Sequence, residues 1–275
     1  GLTVRTMARA DLKDQVGDVY FGTALGALSE THSFLDKLYA SNEFYTSPID
    51  FVGSVHNAPA GKVAMKENIQ GANVTMSGGD ASFEQALTAA RYLSTGSRQS
   101  FLVGGADEMH PIFSEVFDSS VTMGDTPSDG GGMLLLKAAA DGPSLILSPG
   151  YLAASGDVTA SLQAAAAYHG GRRALNDRVG ALMVGLPAAW RETATPLLDD
   201  FKRWLGFAGP VIDYRRYFGE FASASAVAAV AALALVERGT IPGALVGGSD
   251  YPLAGRGILL IGLGTSTATM LAEFS

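Results

Sequence analysis

The stretch from Thr75 to Glu108, TMSGGDASFEQALTAARYLSTGSRQSFLVGGADE, constrains the fold more than any other part of the chain. A glycine-rich turn leads into a helical period, and that period leads into an apolar run ending in Gly104-Gly105-Ala106-Asp107-Glu108. Asp80 stands at the expected N-cap, where a short carboxylate satisfies the first free amides of a helix, and Ser82 is placed to share that role. Phe83, Leu87, Ala90 and Leu93 fall on one helical face, and Gly96 ends the helix. Ser100 to Gly104 then reads as a buried strand. A turn, a helix and a strand following one another so closely call for alternating layers of helix and sheet.

The same alternation runs through the rest of the chain. Asp18 to Leu25 reads as a short strand entering a glycine turn, and Ser29 to Ala40 as a helix. Gly132 to Lys137 reads as a buried strand, preceded by a loop from Gly124 to Gly131. A second round begins near Gly142. Ser144 to Leu147 is a strand, and Asp157 caps an alanine-rich helix ending at Tyr168. His169 to Arg178 is polar and loop-like, and Val179 to Leu186 is a strand. Pro196 to Leu205 is a helix with Leu197, Leu198, Phe201 and Leu205 inward. Val211 to Tyr214 is extended. Ser223 to Arg238 is a helix so apolar that it must be buried on most sides. Gly257 to Leu263 and Thr267 to Phe274 form a closing hairpin. Continuous apolar strands alternating with helices predict an α/β fold with both sheet faces covered.

Composition removes several classes of function. The 275 residues carry a net charge of -8, and 47% of them are hydrophobic. A nucleic-acid binder needs a basic stripe, whereas the longest basic clusters here are Arg172-Arg173 and Arg215-Arg216. An acidic surface also gives no broad attraction to anionic membranes. The longest apolar run, Ala222 to Val236, is shorter than the roughly 20 residues that span a bilayer. No signal peptide is visible, so the expected location is the cytoplasm. The chain has no cysteine, which excludes disulfides, thiolate metal sites and thiol catalysis. No cofactor or metal is implied. His110 follows Asp107-Glu108, but that run supplies no second histidine at ligand spacing.

Several segments together resemble the β-ketoacyl synthases, condensing enzymes of the thiolase fold. Thr75 to Glu108 is similar to their nucleophile elbow, helix and following strand. Gly22 to Thr31 (GTALGALSET) is similar to their first strand-to-helix turn. Ser54 to Gly61 (SVHNAPAG) and Ile69 to Thr75 (IQGANVT) are similar to the approach to the elbow. Asp129 to Leu136 (DGGGMLLL) is similar to the GEGAG strand. Gly219 to Pro242 is similar to the helix after the second catalytic histidine, and Gly262 to Gly264 to the GFGG-type turn. The resemblance implies a thiolase-like fold of internally duplicated α-β-α-β-α layers with mixed five-stranded sheets. It implies an N-terminal half over residues 1–140 and a C-terminal half over 141–275. It also places the start of the chain partway into the family's first half, with the first strand either missing or not included.

The resemblance further implies an emptied reaction centre. A condensing enzyme needs a thiolate, two histidines and backbone donors for the oxyanion. Counted back without gaps from Gly104-Gly105, the family's cysteine falls on Gly79. Val184 to Thr195, matching the NAHGT-type stretch, holds no histidine. In Ile212 to Glu220, matching the KSMTGH-type stretch, the lysine falls on Arg215 and the histidine on Glu220. A binding shell remains as the expectation. It comprises Gly79 and Asp80 at the helix N-terminus, Arg215, and Gly262, Leu263 and Gly264 at the turn. Such a protein resembles a chain-length factor, a cysteine-less partner of an active ketosynthase in type II fatty-acid, polyketide or aryl-polyene-like biosynthesis. Its expected contacts are that ketosynthase or a second copy, an acyl carrier protein and an acyl thioester.

Other readings stay open. His56 either acts as a base on Ser77 or Ser82 or fixes its loop; the structural role is favoured because no pattern here spells a triad. Glu220 is either a general base with a raised pKa or the ion-pair partner of Arg215. Arg172-Arg173 and Arg215-Arg216 either attract an acidic carrier or are ordinary solvated residues. The alternatives at the level of function are a thioesterase or acyl-transfer enzyme of altered chemistry and an acyl-thioester-binding homodimer.

Overall fold

The computed structural model describes residues 16–44, 47–93, 100–117, 127–136, 142–148, 152–153 and 157–274. The first sheet begins with β1 (Val16–Gly22). Three helices follow: α1 (Leu28–Ala40), α2 (Pro48–Ser54) and α3 (Ala58–Lys66). Then comes β2 (Asn73–Met76), a single 3-10 turn at Gly79–Ala81, and α4 (Ser82–Leu93). The chain returns through β3 (Ser100–Asp107), α5 (Phe113–Phe117) and β4 (Gly130–Leu136). The strand order is β2-β1-β3-β4, with β1 parallel to both neighbours and β4 antiparallel to β3.

The second sheet starts with β5 (Pro143–Leu147) and the two-residue β6 (Leu152–Ala153). Helices α6 (Val158–Tyr168) and α7 (Arg172–Arg178) lead to β7 (Val179–Gly185). Helix α8 (Arg191–Leu205) then leads to β8 (Val211–Asp213) and α9 (Tyr214–Phe218). The long helix α10 (Ala224–Arg238) follows. A small hairpin of β9 (Thr240–Ile241) and β10 (Tyr251–Pro252) then encloses α11 (Gly243–Val246). The chain closes with β11 (Gly257–Leu263) and β12 (Ser266–Phe274). The order is β5-β12-β11-β7-β8, with β6 paired to the start of β12.

Three apolar clusters separate five layers. Ala60 and Ala64 of α3 cover the outer face of the first sheet with Val19, Phe21 and Leu102. Phe83, Ala86 and Leu87 of α4 and the small residues of α10 fill the space between the sheets. Leu162, Leu175, Leu198 and Phe201 of α6, α7 and α8 cover the outer face of the second sheet. The fold is therefore α-β-α-β-α, as the resemblance implied. The alanines of α10 let it lie close to strands on both sides.

The structure changes some of the expected elements. The expected five-stranded sheets have four strands in the first case and six in the second, among the described residues. β1 is paired on both edges, so no strand can enter between β2 and β3. The supposed loop from His169 to Arg178 contains α7, anchored by the single buried residue Leu175 in an otherwise polar run. Helix α8 starts at Arg191 and carries Pro196 inside it, so proline was the wrong mark for its start. Tyr214 opens a helix instead of ending a strand. The expected helix end at Gly96, the first residues of the loop at Gly124 to Gly131, and Lys137 lie outside the described residues. Asp157 does cap α6, accepting a hydrogen bond from Ala160 N at 3.0 Å.

One buried carboxylate ties the layers together. Asp107 Oδ1, at the end of β3, accepts from Thr23 Oγ1 at 2.8 Å, Ala24 N at 2.7 Å and Leu25 N at 3.2 Å. Its Oδ2 accepts from Ser223 N at 2.9 Å, just before α10. Removing it strands four donors, each costing about 1–3 kcal/mol when buried without a partner. Asp107→Ala should therefore lower the unfolding free energy in urea by roughly 3–5 kcal/mol. Asp36→Ala, at an exposed position on α1, should stay within about 0.5 kcal/mol of the parent.

Candidate functional site

The site forms where the elbow after β2 meets the turn between β11 and β12. Gly79 has φ +60°, a left-handed conformation that side chains other than glycine adopt at a cost. A Cβ built there would meet only Thr265 Oγ1, at 3.8 Å, so the place of a side chain stands open. The local fold explains the elbow. Ser82 Oγ accepts from Gly78 N at 3.0 Å and donates to Gly79 O at 2.6 Å, locking the glycine turn onto α4.

Asp80 is not the cap that the sequence suggested. Its carboxylate reaches across to the β11–β12 turn, accepting from Thr265 N at 2.6 Å and Thr265 Oγ1 at 2.5 Å. The 3-10 turn aims the side chain away from the helix amides and toward these two donors. Gly264 is glycine because a Cβ there would sit 1.9 Å from Asp80 Oδ2.

Four amides of the elbow and the turn already have acceptors within the protein. Ala81 N donates to Gly78 O at 3.2 Å, and the Ser82 amide donates to Gly79 O. Gly264 N donates to Ser266 O at 3.2 Å, and Thr265 N is held by Asp80. Beside the turn, a small cavity of about 70 Å³ is lined by Leu263, Gly264 and Thr267 with Trp190, Ala194 and Leu197 of the α8 region. Ligand sites are typically about 300–1,000 Å³, so this pocket accommodates a short apolar group and not a long chain.

Arg215 and Glu220 lie in an adjoining ion-pair cluster. Arg215 is 3% exposed. Its Nη1 donates to Glu220 Oε2 at 3.3 Å and Phe221 O at 2.9 Å, and its Nη2 donates to Ala222 O at 3.2 Å. Arg191 Nη2 binds the other carboxylate oxygen of Glu220 at 2.9 Å and Leu186 O at 3.1 Å. The residue at the expected histidine position is therefore a carboxylate pinned between two guanidinium groups. Arg191 comes from the stretch that matches the other histidine motif, and the sequence reading missed it. Tyr214 fills the space next to this cluster. A Cβ on Gly185 would lie 2.0 Å from its hydroxyl, and one on Gly262 would lie 3.9 Å away. Burial pushes the Tyr214 phenol up, so it is neutral at physiological pH.

The remaining candidates do not converge. His56 is exposed, and its Cα packs beside Gly26. Ser77 Oγ donates to Ala24 O at 3.1 Å, and Ser82 serves the turn described above. Neither serine is bonded to His56. His110 Nδ1 accepts from Ile112 N and Phe113 N at 3.3 Å each, and its ring lies 4.7 Å from that of His32. His169, expected in a polar loop, is buried with Nε2 3.0 Å from Ser148 Oγ, tying the end of β5 to the end of α6. Glu273, whose charge acts on His169, is bound by Arg178 Nε at 3.1 Å and Nη2 at 2.6 Å and so is committed elsewhere. No group of metal-binding side chains occurs among the described residues. No described helix is long and apolar enough to cross a membrane.

The family model for the β-ketoacyl synthase N-terminal domain matches residues 3–174. The chain belongs to the β-ketoacyl synthase family. Solved structures share the fold at low identity. A β-ketoacyl synthase from Burkholderia phymatum STM815 is 14% identical with a TM-score of 0.74, covering 99% of this chain and 81% of its own. The ishigamide ketosynthase/chain length factor is 15% identical with a TM-score of 0.71, covering 97% and 78%. A ketosynthase bound to a hexaketide, in complex with its type II polyketide acyl-carrier protein, is 13% identical with a TM-score of 0.67, also covering 97% and 78%. No curated protein sequence matches the chain.

One residue of this ketosynthase-like centre was hidden in the sequence. Glu84, in the first turn of α4, is 2% exposed, and its Oε2 has no hydrogen-bond partner. Burial pushes its carboxyl up to about 7, and the negative charge of Asp80 adds to the rise. Ser225 and Arg215 offset it only in part. An acid raised in the folded state contributes its stability below the unfolded value of 4.5 and loses it as pH climbs through about 7. That rise corresponds to roughly 3 kcal/mol. The stability of Glu84→Gln relative to the parent should therefore increase by about that much between pH 4.5 and pH 8, read by urea denaturation at each pH.

Proposed function

We propose that this chain is a non-condensing member of its family, acting as a chain-length-factor-type partner of an active ketosynthase. The observation that carries the reading is Gly79. The elbow has its turn and its helix, but Gly79 brings no side chain to serve as a nucleophile, and the place of its Cβ lies 3.8 Å from Thr265 Oγ1. The Arg215–Glu220–Arg191 cluster supports it, since neither a free base nor a free proton donor stands where condensation needs one. The chain shares its fold with structures that include a ketosynthase/chain length factor and a ketosynthase in complex with an acyl-carrier protein. In this reading the chain meets a carrier-bound acyl thioester in the company of its ketosynthase. The pathway is of the type II fatty-acid, polyketide or aryl-polyene kind, in the cytoplasm. The two sheets belong to the two duplicated halves, divided near residue 140.

The test is co-expression with ketosynthases encoded beside it, followed by size-exclusion chromatography and an assay of malonyl and acyl thioesters. The expected result is a stable heterodimer, with β-keto product only when the partner is present. A purified chain that condensed acyl units alone would end the proposal, and a tight homodimer that refused every neighbouring ketosynthase would favour the acyl-thioester-binding alternative. Gly79→Cys adds a second arm. The open space at residue 79 should let iodoacetamide alkylate the new thiol. Condensation should stay absent, because the acid–base positions are still held in ion pairs.

A further inference from the structure

A second cavity opens at the other end of α4. Its volume is about 320 Å³. Leu87 and Ala90 form its floor, some eight to eleven residues beyond Gly79, or on the order of 12–17 Å along the helix axis. Phe101 and Leu136 of the first sheet form one wall, and β5, the edge strand of the second sheet, forms the other through Leu145. Tyr168, at the end of α6, closes one side. The cavity thus lies between the two sheets and outside the candidate site.

Its chemistry has one polarity. The walls are aliphatic and aromatic, so water inside would find few partners. Among the described residues, Arg91 is the one charged side chain that lines it. Among the described residues no carboxylate pairs with Arg91, and the side chain is exposed in the last turn of α4. A guanidinium lining an apolar cavity favours a planar anion attached to an apolar body, because it offers two parallel N–H donors to a carboxylate. The volume falls at the lower end of the roughly 300–1,000 Å³ usual for small-molecule sites.

We infer that this cavity binds a medium-chain aliphatic carboxylate, with its tail between the sheets against Leu87, Phe101 and Leu145 and its head on Arg91. The inference does not rest on the chain-length-factor reading. A free acid seated here would bridge the edges of both sheets and stabilise their contact through α4.

The test titrates the purified protein with decanoate and with decanol, following the carboxyl resonance of ¹³C-labelled decanoate and the melting temperature. Decanoate should bind saturably and raise the melting temperature. Arg91→Ala should weaken decanoate about tenfold and leave decanol unchanged. Leu145→Trp, which fills the cavity, should abolish binding of both. Absence of saturable decanoate binding to the parent protein would overturn the inference, as would binding that Arg91→Ala leaves intact. Should Leu145→Trp fail to fold, the exposed Arg91 substitution still decides.

Discussion

The Asp80 carboxylate, held by both the amide and the hydroxyl of Thr265, joins positions 185 residues apart in sequence. Hydrogen bonds to a charged acceptor contribute about 1.5–3 kcal/mol each, so this pair weighs heavily in how the elbow sits on the second sheet. It also sets the electrostatics of the neighbouring Gly79. When a thioester is attacked, negative charge develops on its carbonyl oxygen, and catalysis requires donors aimed at that charge. Here a fixed anion stands one residue away, and it already occupies a turn amide. The contact that closes the fold thus also sets a carboxylate beside the elbow.

The arginine cluster shows a second exchange of chemistry for structure. Glu220 is held by Arg215 and Arg191, while Asp213 faces Arg191 at 3.8 Å and Arg216 at 3.3 Å. Taking such charges out of water is costly, and only close pairing with further hydrogen bonds offsets the cost. Arg215 meets that requirement by also donating to Phe221 O and Ala222 O, which fixes the chain just ahead of α10. The same anchoring places Tyr214 over the paired ends of β7 and β11 at Gly185 and Gly262. In an open α/β sheet such strand ends are where ligands usually bind. In this protein a phenol and an ion-pair network occupy the approach to them.

Much of this was legible in the sequence, and the misses have physical causes. The elbow could be read because glycine, helical periodicity and an apolar strand occur in an order that few folds tolerate. Helix α10 could be read because small apolar residues without a polar face demand burial on most sides. Asp80 was misread because an aspartate before a helix usually caps it, and nothing local reveals that Thr265 competes for it. Helices α2 and α3 were passed over, although Pro48 and Pro59 stand in their first turns, where a missing N–H does no harm. Helix α7 was lost because one buried leucine gives no periodicity. Glu84 was overlooked because an ionisable residue in an amphipathic helix is assumed to face water.

Glu84 and Glu220 are two carboxyl groups that turn to the same cation. Glu220 has Arg215 in direct contact, whereas Glu84 feels that guanidinium only at a distance. As a neutral acid, Glu84 makes a modest demand on its surroundings, and the contact between α4 and α10 can remain apolar around it. As an anion it would need a cation inside the layer between the sheets, and the nearby Arg215 is already committed to Glu220 and to two carbonyls. Asp107 in turn holds the approach to α10 through Ser223 N. The pinned helix start, the pinned guanidinium and the raised acid are therefore parts of one arrangement. Burial between the sheets is what keeps Glu84 protonated into the neutral range, and Arg215, held by Glu220 and two carbonyls, offsets it only in part.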